Sequence, residues 1–223
     1  MGVMYDTIMQ LPIFQGVDRK CMSDILARTK VEFTGYSGGD VIISGGEEPE
    51  KVMYLISGSA RRIWKSEDGD TAVSEKLLPG TLMAAEYLYG LDKRVPFEVT
   101  ALEDSSVFSF HKHYLLENLK SSRVLLINFI NYLSTRVQRP LPDILSPGGN
   151  IFMKWLASVL VSVTDSRSVD VEITLPGNFP GKAGLGTEDI KVLSELREEG
   201  IIRIRQNKIA VLSRQLLLER AAR

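Results

Sequence analysis

From Tyr36 to about Phe110 the chain is interrupted by turn signals at intervals of about ten residues, and this punctuation constrains the fold more than any other feature. The signals are Ser37-Gly38-Gly39-Asp40, Gly45-Gly46-Glu47, Gly58, Asp68-Gly69-Asp70, Pro79-Gly80 and Glu103-Asp104-Ser105. Between them lie short strand-like runs: "VIIS", "VMYLIS", "ARRIW", "AVSEKLL", "FEVTAL" and "SVFSF". Regular short strands joined by glycine-rich turns predict a β-sandwich or barrel. In front of them "DRKCMSDILART", led in by "LPIFQGV", repeats its apolar residues Cys21/Met22, Ile25 and Leu26 at helical spacing.

After the strands the period changes. "HKHYLLENLKSSRVLLINFINYLSTRVQR" carries Leu115, Leu116, Leu119, Leu126, Phe129, Ile130, Leu133 and Val137 at helical intervals, which predicts one long amphipathic helix over 111–139. Leu119, Leu126, Phe129 and Leu133 form a near-heptad seam, read here as a homodimer contact, with packing on the chain's own barrel as the alternative. Pro140, Pro142, Pro147 and Gly148-Gly149 stop the helix and predict a hinge over 140–149. Beyond it, over 150–223, come a helix ("NIFMKWLASVLVSV"), a strand ("VDVEITL") and a second helix ("TEDIKVLSELREEG") with Thr187 as N-cap and Gly200 as its stop. "IIRIRQNKIAVL" reads as a hairpin turning at Gln206-Asn207-Lys208, and Ser213 caps a last helix. Helix, helix, hairpin is the order of a winged helix-turn-helix.

At 223 residues and 44% hydrophobic content the chain can bury a substantial core. Its longest apolar runs, Val124 to Ile127 and Leu156 to Val161, are too short to span a bilayer, and its start lacks a signal-peptide layout, so a cytoplasmic protein without membrane partners is expected. With Cys21 as the single cysteine, a disulfide within the chain, a thiolate zinc site and a cysteine-held iron–sulfur cluster are excluded. A net charge of −1 confines any nucleic-acid surface to a local patch.

The segment "LLPGTLMAAEYLYGLDKRVPFEVTALED", 77–104, combines a Pro-Gly turn, a small-residue stretch and a polar loop between two strands. Turns of this shape place backbone N–H groups around a ligand phosphate. With "LPIFQGV", "YSGGDVIISGGEEPEKVMYLISGSARR", "ALEDSSVFSF" and "VLSELREEGIIRI", it makes nearly the whole chain resemble the CRP/FNR family, the cyclic-AMP receptor protein and fumarate-nitrate regulator relatives among bacterial transcription factors. The resemblance implies an α+β chain. Residues 1–110 would be a cyclic-nucleotide-binding-type jelly roll, or double-stranded β-helix, followed by a dimerisation helix, 111–139. Residues 150–223 would form a winged helix that reads a palindromic double-stranded DNA operator and works with RNA polymerase.

The departures from that family concern chemistry. Cyclic-nucleotide-binding members carry Gly-Glu-Leu after the Pro-Gly turn, where the Glu takes the ribose hydroxyl, and Arg-Ser-Ala before the next strand, where the Arg pairs with the phosphate. Laid down without gaps, these fall on Ala84, Ala85 and Glu86 and on Val95, Pro96 and Phe97. Glu86 and Arg94 each stand one residue away, and a one-residue shift in a strand turns a side chain to the other face. The pocket, Ala84 to Tyr87 with Arg94 to Phe97, therefore keeps the shape of a cassette without its cyclic-AMP ligands, and a different small-molecule effector, or none, is expected. Haem would find axial candidates in His111, His113, Cys21 and the methionines, but the histidines read more simply as solvated residues at a helix start.

The DNA module departs as well. Where the family places a first helix, this chain has "PGNFPGKAGLG", which can form one short turn at most. From Thr187 to Glu199 two cations face five carboxylates, a net −3 on the helix that would enter the major groove. Its first turns offer Thr187, Glu188 and Lys191 as base readers, and Arg203, Arg205 and Lys208 on the hairpin would hold phosphates. The competing class is a sensor-like protein with a decayed DNA module that acts through a protein partner. "HKHYLLE" matches part of a cupin metal motif, but the chain holds no third histidine and no nucleophile triad or nucleotide loop, so no enzyme activity is expected.

Overall fold

The computed structural model describes residues 2–66, 71–137, 151–163, 169–175 and 186–221. The chain folds as two compact units, Met1–Arg62 with Leu77–Gln138 and Ile63–Lys76 with Arg139–Arg223.

The first unit is a jelly-roll-like antiparallel sandwich flanked by helices. One sheet has the order β1 (Val31–Tyr36), β8 (Ser105–His111), β3 (Lys51–Ser57), β6 (Leu82–Met83). Its register sets Val31 opposite Phe110 and Tyr54 opposite Phe108. The second layer pairs β2 (Val41–Ile43) with β7 (Phe97–Ala101) and continues into β4 (Ala60–Lys65). The five residues from Val107 to His111 alternate faces with period two. Phe108 and Phe110 pack with Val52 and Tyr54 into a cluster completed by helical residues, among them Ile13, Phe14, Met22, Ile25, Leu115 and Phe129. Val107 and Ser109, on the opposite face of the strand, are buried too.

The expected N-terminal helix is α2 (Arg19–Arg28), capped by the Asp18 carboxylate, which accepts from the Cys21 backbone N–H at 2.9 Å. Three elements had no sequence-level counterpart: α1 (Gly2–Met9), β1 and β6. The single helix expected over 111–139 is two, α3 (Lys112–Ser121) and α4 (Arg123–Val137). Ser122 interrupts them in an extended conformation, and its hydroxyl accepts from the Leu125 N–H at 3.3 Å, so the chain re-caps after a single non-helical residue. Asn128 of α4 donates to the carbonyls of Ile13 and Gln15, fixing the lead-in segment on the helix. The expected hinge, 140–149, lies outside the described residues.

The second unit contains α5 (Ile151–Val163), β9 (Val169–Thr174), α6 (Thr187–Glu198), the hairpin β10 (Ile202–Arg205) and β11 (Lys208–Val211), and α7 (Arg214–Ala221). Its sheet runs β10, β11, β9 and then β5 (Ala72–Leu77), with Ala72 opposite Thr174 and Val73 opposite Ile173. Leu156, Leu160, Ile173, Leu193, Ile209 and Leu217 are almost wholly buried in its core. The N-cap of α6 is Gly186 rather than the expected Thr187, and the Gly186 N–H donates to Asp189 Oδ2 at 2.9 Å. Gly200 ends the helix region at φ +70°, as a left-handed stop requires. The glycine-rich interval "PGNFPGKAGLG" lies outside the described residues up to its final Gly186.

Gly58 sits at φ +77°, and a Cβ there would stand 2.5 Å from the Asp104 carbonyl oxygen and against the Ser105 hydroxyl. Gly39 has φ +97° with open space around it. Gly58→Ala should therefore cost clearly more than about 1 kcal/mol in chemical denaturation, and more than Gly39→Ala, which carries only the backbone strain. Equal losses would show that the close approach of the 104–105 turn is unimportant.

Candidate functional site

The cassette begins where β5 ends. The turn Leu78-Pro79-Gly80-Thr81 is closed by the Thr81 N–H and hydroxyl, both donating to the Leu78 carbonyl, and is fixed to β3 by Gly80 N–H donating to the Leu55 carbonyl at 2.7 Å. After β6 the backbone enters the left-handed region at Ala84, φ +53° and ψ +22°, then makes a 3-10 turn over Ala85–Tyr87. A residue with a Cβ is strained there, and this is the position where the sequence comparison places the family's glycine. The turn thus adopts a left-handed backbone without the residue that adopts it most easily.

The side chains that close the cassette are its own. Ala85 and Val95, in the two ligand-pairing positions, are buried hydrocarbon, and the Val95 backbone is tied to Gly46 and Glu47 by two hydrogen bonds. Arg94 and Pro96 are exposed, so neither lines an interior. Glu86 turns toward α4 and pairs with Arg136 at 2.8 Å, both side chains being mostly buried. Phe97 meets Tyr87 edge-on, with ring centroids 5.8 Å apart, and its face carries the Arg62 guanidinium at 4.8 Å. Burial pushes the Tyr87 hydroxyl above its ordinary pKa; Glu86 and, more weakly, Asp92 add to this, while Arg136 and Arg62 oppose it. Tyr132 of α4 donates to the Leu82 carbonyl at 3.0 Å, and the Arg136 guanidinium stands 5.8 Å from the Tyr132 ring.

Arg62 and Arg136 were missed at the sequence level, although both carried a signal. In "ARRIW" the period-two alternation puts Arg62 on the side of Ala60, which is inward. In α4 Leu125, Phe129, Tyr132 and Arg136 follow one another by three or four residues on the inner face.

The four residues of the expected dimer seam do not share one exposed face. Leu119 and Phe129 are buried in the core of their own unit and Leu133 packs partly against it, leaving Leu126 as the exposed member. The break at Ser122 changes the phase between the two helices, so a seam drawn through both could not stay on one face. The apolar face of α4 that remains open is Val124, Leu126, Ile127 and Ile130, each 37–46% exposed.

In the second unit Thr187, Glu188 and Lys191 are exposed on the first turns of α6. Arg203 and Arg205 alternate outward from Ile202 and Ile204 on β10, and Lys208 opens β11 with its ammonium 3.5 Å from Glu172. The turn between them is Gln206-Asn207, with Gln206 at φ +54° and Asn207 donating to the Leu175 carbonyl. Part of the acidity of α6 is answered within the unit, because Arg220 of α7 contacts Glu195 at 3.1 Å and Glu199 at 3.6 Å. Lys182 and Arg223, counted among the basic surroundings at the sequence level, lie outside the described residues. His111 and His113 stand at the start of α3, where the His113 N–H donates to His111 Nδ1 and His111 Nε2 lies 3.4 Å from Glu50. Among the described residues no group of three or more His, Cys, Asp or Glu side chains is arranged to hold a metal ion, and no helix is long and apolar enough to cross a membrane.

The sandwich and its cassette define the class: residues 34–122 match the family model of the cyclic nucleotide-binding domain. No curated protein matches the chain. Among solved structures the chain is similar to the sensor domain of the transcriptional regulator DNR from Pseudomonas aeruginosa, with 18% identity, a TM-score of 0.54, and 66% of this chain and 97% of that one covered. It is also similar to the catabolite activator protein of Thermus thermophilus, with 19% identity, a TM-score of 0.51, and 95% and 98% of the two chains covered. At these identities the likeness is one of fold.

Ala84→Gly should raise stability by up to about 1 kcal/mol, since it removes a Cβ from a left-handed backbone while adding unfolded-state entropy. The midpoint of urea unfolding measures it, and a loss of stability would mean that the turn does not depend on that dihedral.

Proposed function

We propose that this chain is a DNA-binding transcription regulator of the CRP/FNR type, homodimeric through α4 and controlled by an effector other than cyclic AMP. The observation that carries the reading is the pairing, in one unit, of an exposed helix start with a basic hairpin edge: Thr187, Glu188 and Lys191 on α6, Arg203, Arg205 and Lys208 on β10–β11. The order helix, strand, helix, hairpin is that of a winged helix, in which such a helix reads base edges and the hairpin holds phosphates. The two solved proteins of similar fold, a transcriptional regulator and a catabolite activator protein by name, point the same way.

Control by cyclic AMP is disfavoured by the cassette itself. A cyclic phosphate would meet buried Val95 where it needs a cation, and a buried anion without a partner is costly. The second reading, action through a protein partner, draws on the acidity of α6, whose exposed residues include Glu188 and Glu198.

Selection of random double-stranded DNA by the purified chain separates the two. The regulator reading expects an inverted repeat with half-sites about one helical turn apart. Replacing Arg203, Arg205 and Lys208 by Ala should then abolish retention at moderate salt and flatten the salt dependence by roughly one unit for each phosphate no longer neutralised. Lys208, shared with Glu172, should contribute least of the three. No enrichment from the pool, with unchanged binding to a protein partner, would favour the second reading.

The dimer has its own test. Ile127→Glu with Ile130→Glu places two charges on the open face of α4, so the variant should sediment as a monomer while keeping its circular dichroism. A dimer that survives both substitutions places the interface elsewhere.

A further inference from the structure

His111 and His113 bring two ring nitrogens face to face where β8 hands over to α3. Their Nδ1 atoms stand 2.7 Å apart. The His113 backbone N–H donates to His111 Nδ1, so that nitrogen carries a lone pair and the ring holds its proton on Nε2, 3.4 Å from the Glu50 carboxylate. An imidazole whose outer N–H is directed at a carboxylate, with its other nitrogen left basic, is the usual setting of a metal-ligating histidine. We propose that His111 and His113 form a two-nitrogen site for a divalent transition-metal ion of the copper or nickel kind, with solvent completing its coordination. With two protein donors this is an exchangeable site, unlike the four-ligand structural and three-ligand catalytic kinds. The proposal is independent of the regulatory reading and of the cassette.

The spacing of the donors favours these ions. Two nitrogens bound at about 2.0 Å lie roughly 2.8 Å apart at the right angle of tetragonal coordination, and roughly 3.3 Å apart in a tetrahedron such as zinc prefers. The observed 2.7 Å fits the first. Without metal, His113 Nδ1 donates the proton that lies between the rings. When an ion binds, that proton moves to His113 Nε2, and both rings coordinate as neutral ligands. The junction holds the donors in place: His111 pairs with Lys51 in the β3–β8 ladder, the Lys112 N–H donates to the Glu50 carbonyl at 2.9 Å, and the Tyr89 hydroxyl donates to the Lys112 carbonyl at 2.8 Å. Donors fixed before binding cost little to order. Both rings reach solvent, and the His111 side chain is 44% exposed. A helix start disfavours a cation, and Lys112 would add to this, but its ammonium is paired with Glu50 at 2.8 Å. Two carboxylates have fields that reach the rings. Both are held below the ordinary carboxylate range, Glu50 chiefly by Lys112 and Glu117 chiefly by Lys120, with His111 and His113 contributing less.

Calorimetric titration of the full chain with the chlorides of copper(II), nickel, zinc and magnesium tests the site. Copper(II) should bind one ion per chain with a Kd of about a micromolar or tighter, at least about tenfold ahead of zinc, and magnesium should not bind. His113→Ala should weaken copper binding at least about tenfold. His111→Asn removes the other donor but leaves a side chain able to cap α3, so the same loss of affinity with unchanged circular dichroism separates ligation from folding. On the unmodified protein, pulsed electron paramagnetic resonance of the copper form should show two coupled imidazoles, which keeps the test valid if either variant misfolds. The chain has no other histidines, so two imidazoles identify this pair. Undiminished copper binding in both variants, a copper spectrum with one imidazole or none, zinc binding as tightly as copper, or no copper binding at micromolar concentrations would each overturn the proposal.

Discussion

Strand β8 is buried on both of its faces, and the first unit is organised around that double burial. Phe108 and Phe110 point into the helical layer, Val107 and Ser109 into the sandwich, and the flanking strands β1 and β3 hold both of its edges. A strand of this kind cannot slip by one residue without exchanging the two sets of side chains. Its register therefore fixes where β3 lies, and β3 in turn holds the Pro-Gly turn through Leu55 and pairs with β6. The cassette takes its position from this sheet through the Leu55 contact and the β3–β6 pairing.

The side chains of the cassette are mutually consistent in charge. Where a phosphate-binding site would present a lone cation, Val95 is hydrocarbon, and the cations near Tyr87 come from β4 and α4. Arg62 is spread against the Phe97 ring and Arg136 is neutralised by Glu86, so neither resembles a bare charge waiting for an anion. Buried ion pairs contribute little net stability compared with hydrocarbon of equal volume, but removing one partner is costly. Such a pair is better suited to holding two elements in one relation than to strengthening the fold, and Glu86–Arg136 joins the 3-10 turn to the last turn of α4.

Much of this architecture was legible in the sequence because turn chemistry is local. Among the described residues the Gly-rich and Asp-rich clusters fall at strand boundaries, the Asp68-Gly69-Asp70 cluster lying outside them, and Gly200 and Ser213 ended and capped the helices assigned to them. What was not legible depended on partners. Strand β1 is mostly exposed or half-buried and carries no clean alternation, so only its pairing with β8 identifies it. Ser122 breaks the long helix without Pro or Gly, through an extended backbone and a capping hydroxyl that a serine inside a helix shows equally well in sequence. The heptad spacing of Leu119, Phe129 and Leu133 was real, but periodicity states that a face is buried and not what buries it. Here the chain's own core takes three of the four seam residues in whole or in part, and the open face is the one through Val124, Ile127 and Ile130.

The acidic α6 makes the same point for the second unit. A count of charges sets five carboxylates against two cations, yet the structure distributes them by task. Asp189 is spent on the Gly186 N–H, and Glu195 and Glu199 face Arg220. Of the residues on the opening turn, Glu188 is the carboxylate left to solvent without a stated structural role, beside exposed Thr187 and Lys191. On the proposed reading, a single acid accepts from a cytosine amine while the hairpin arginines meet the phosphates. The electrostatic objection to a DNA-reading helix is therefore weaker in three dimensions than in the sequence, since what repels a phosphate is the charge that faces it and not the sum over the helix.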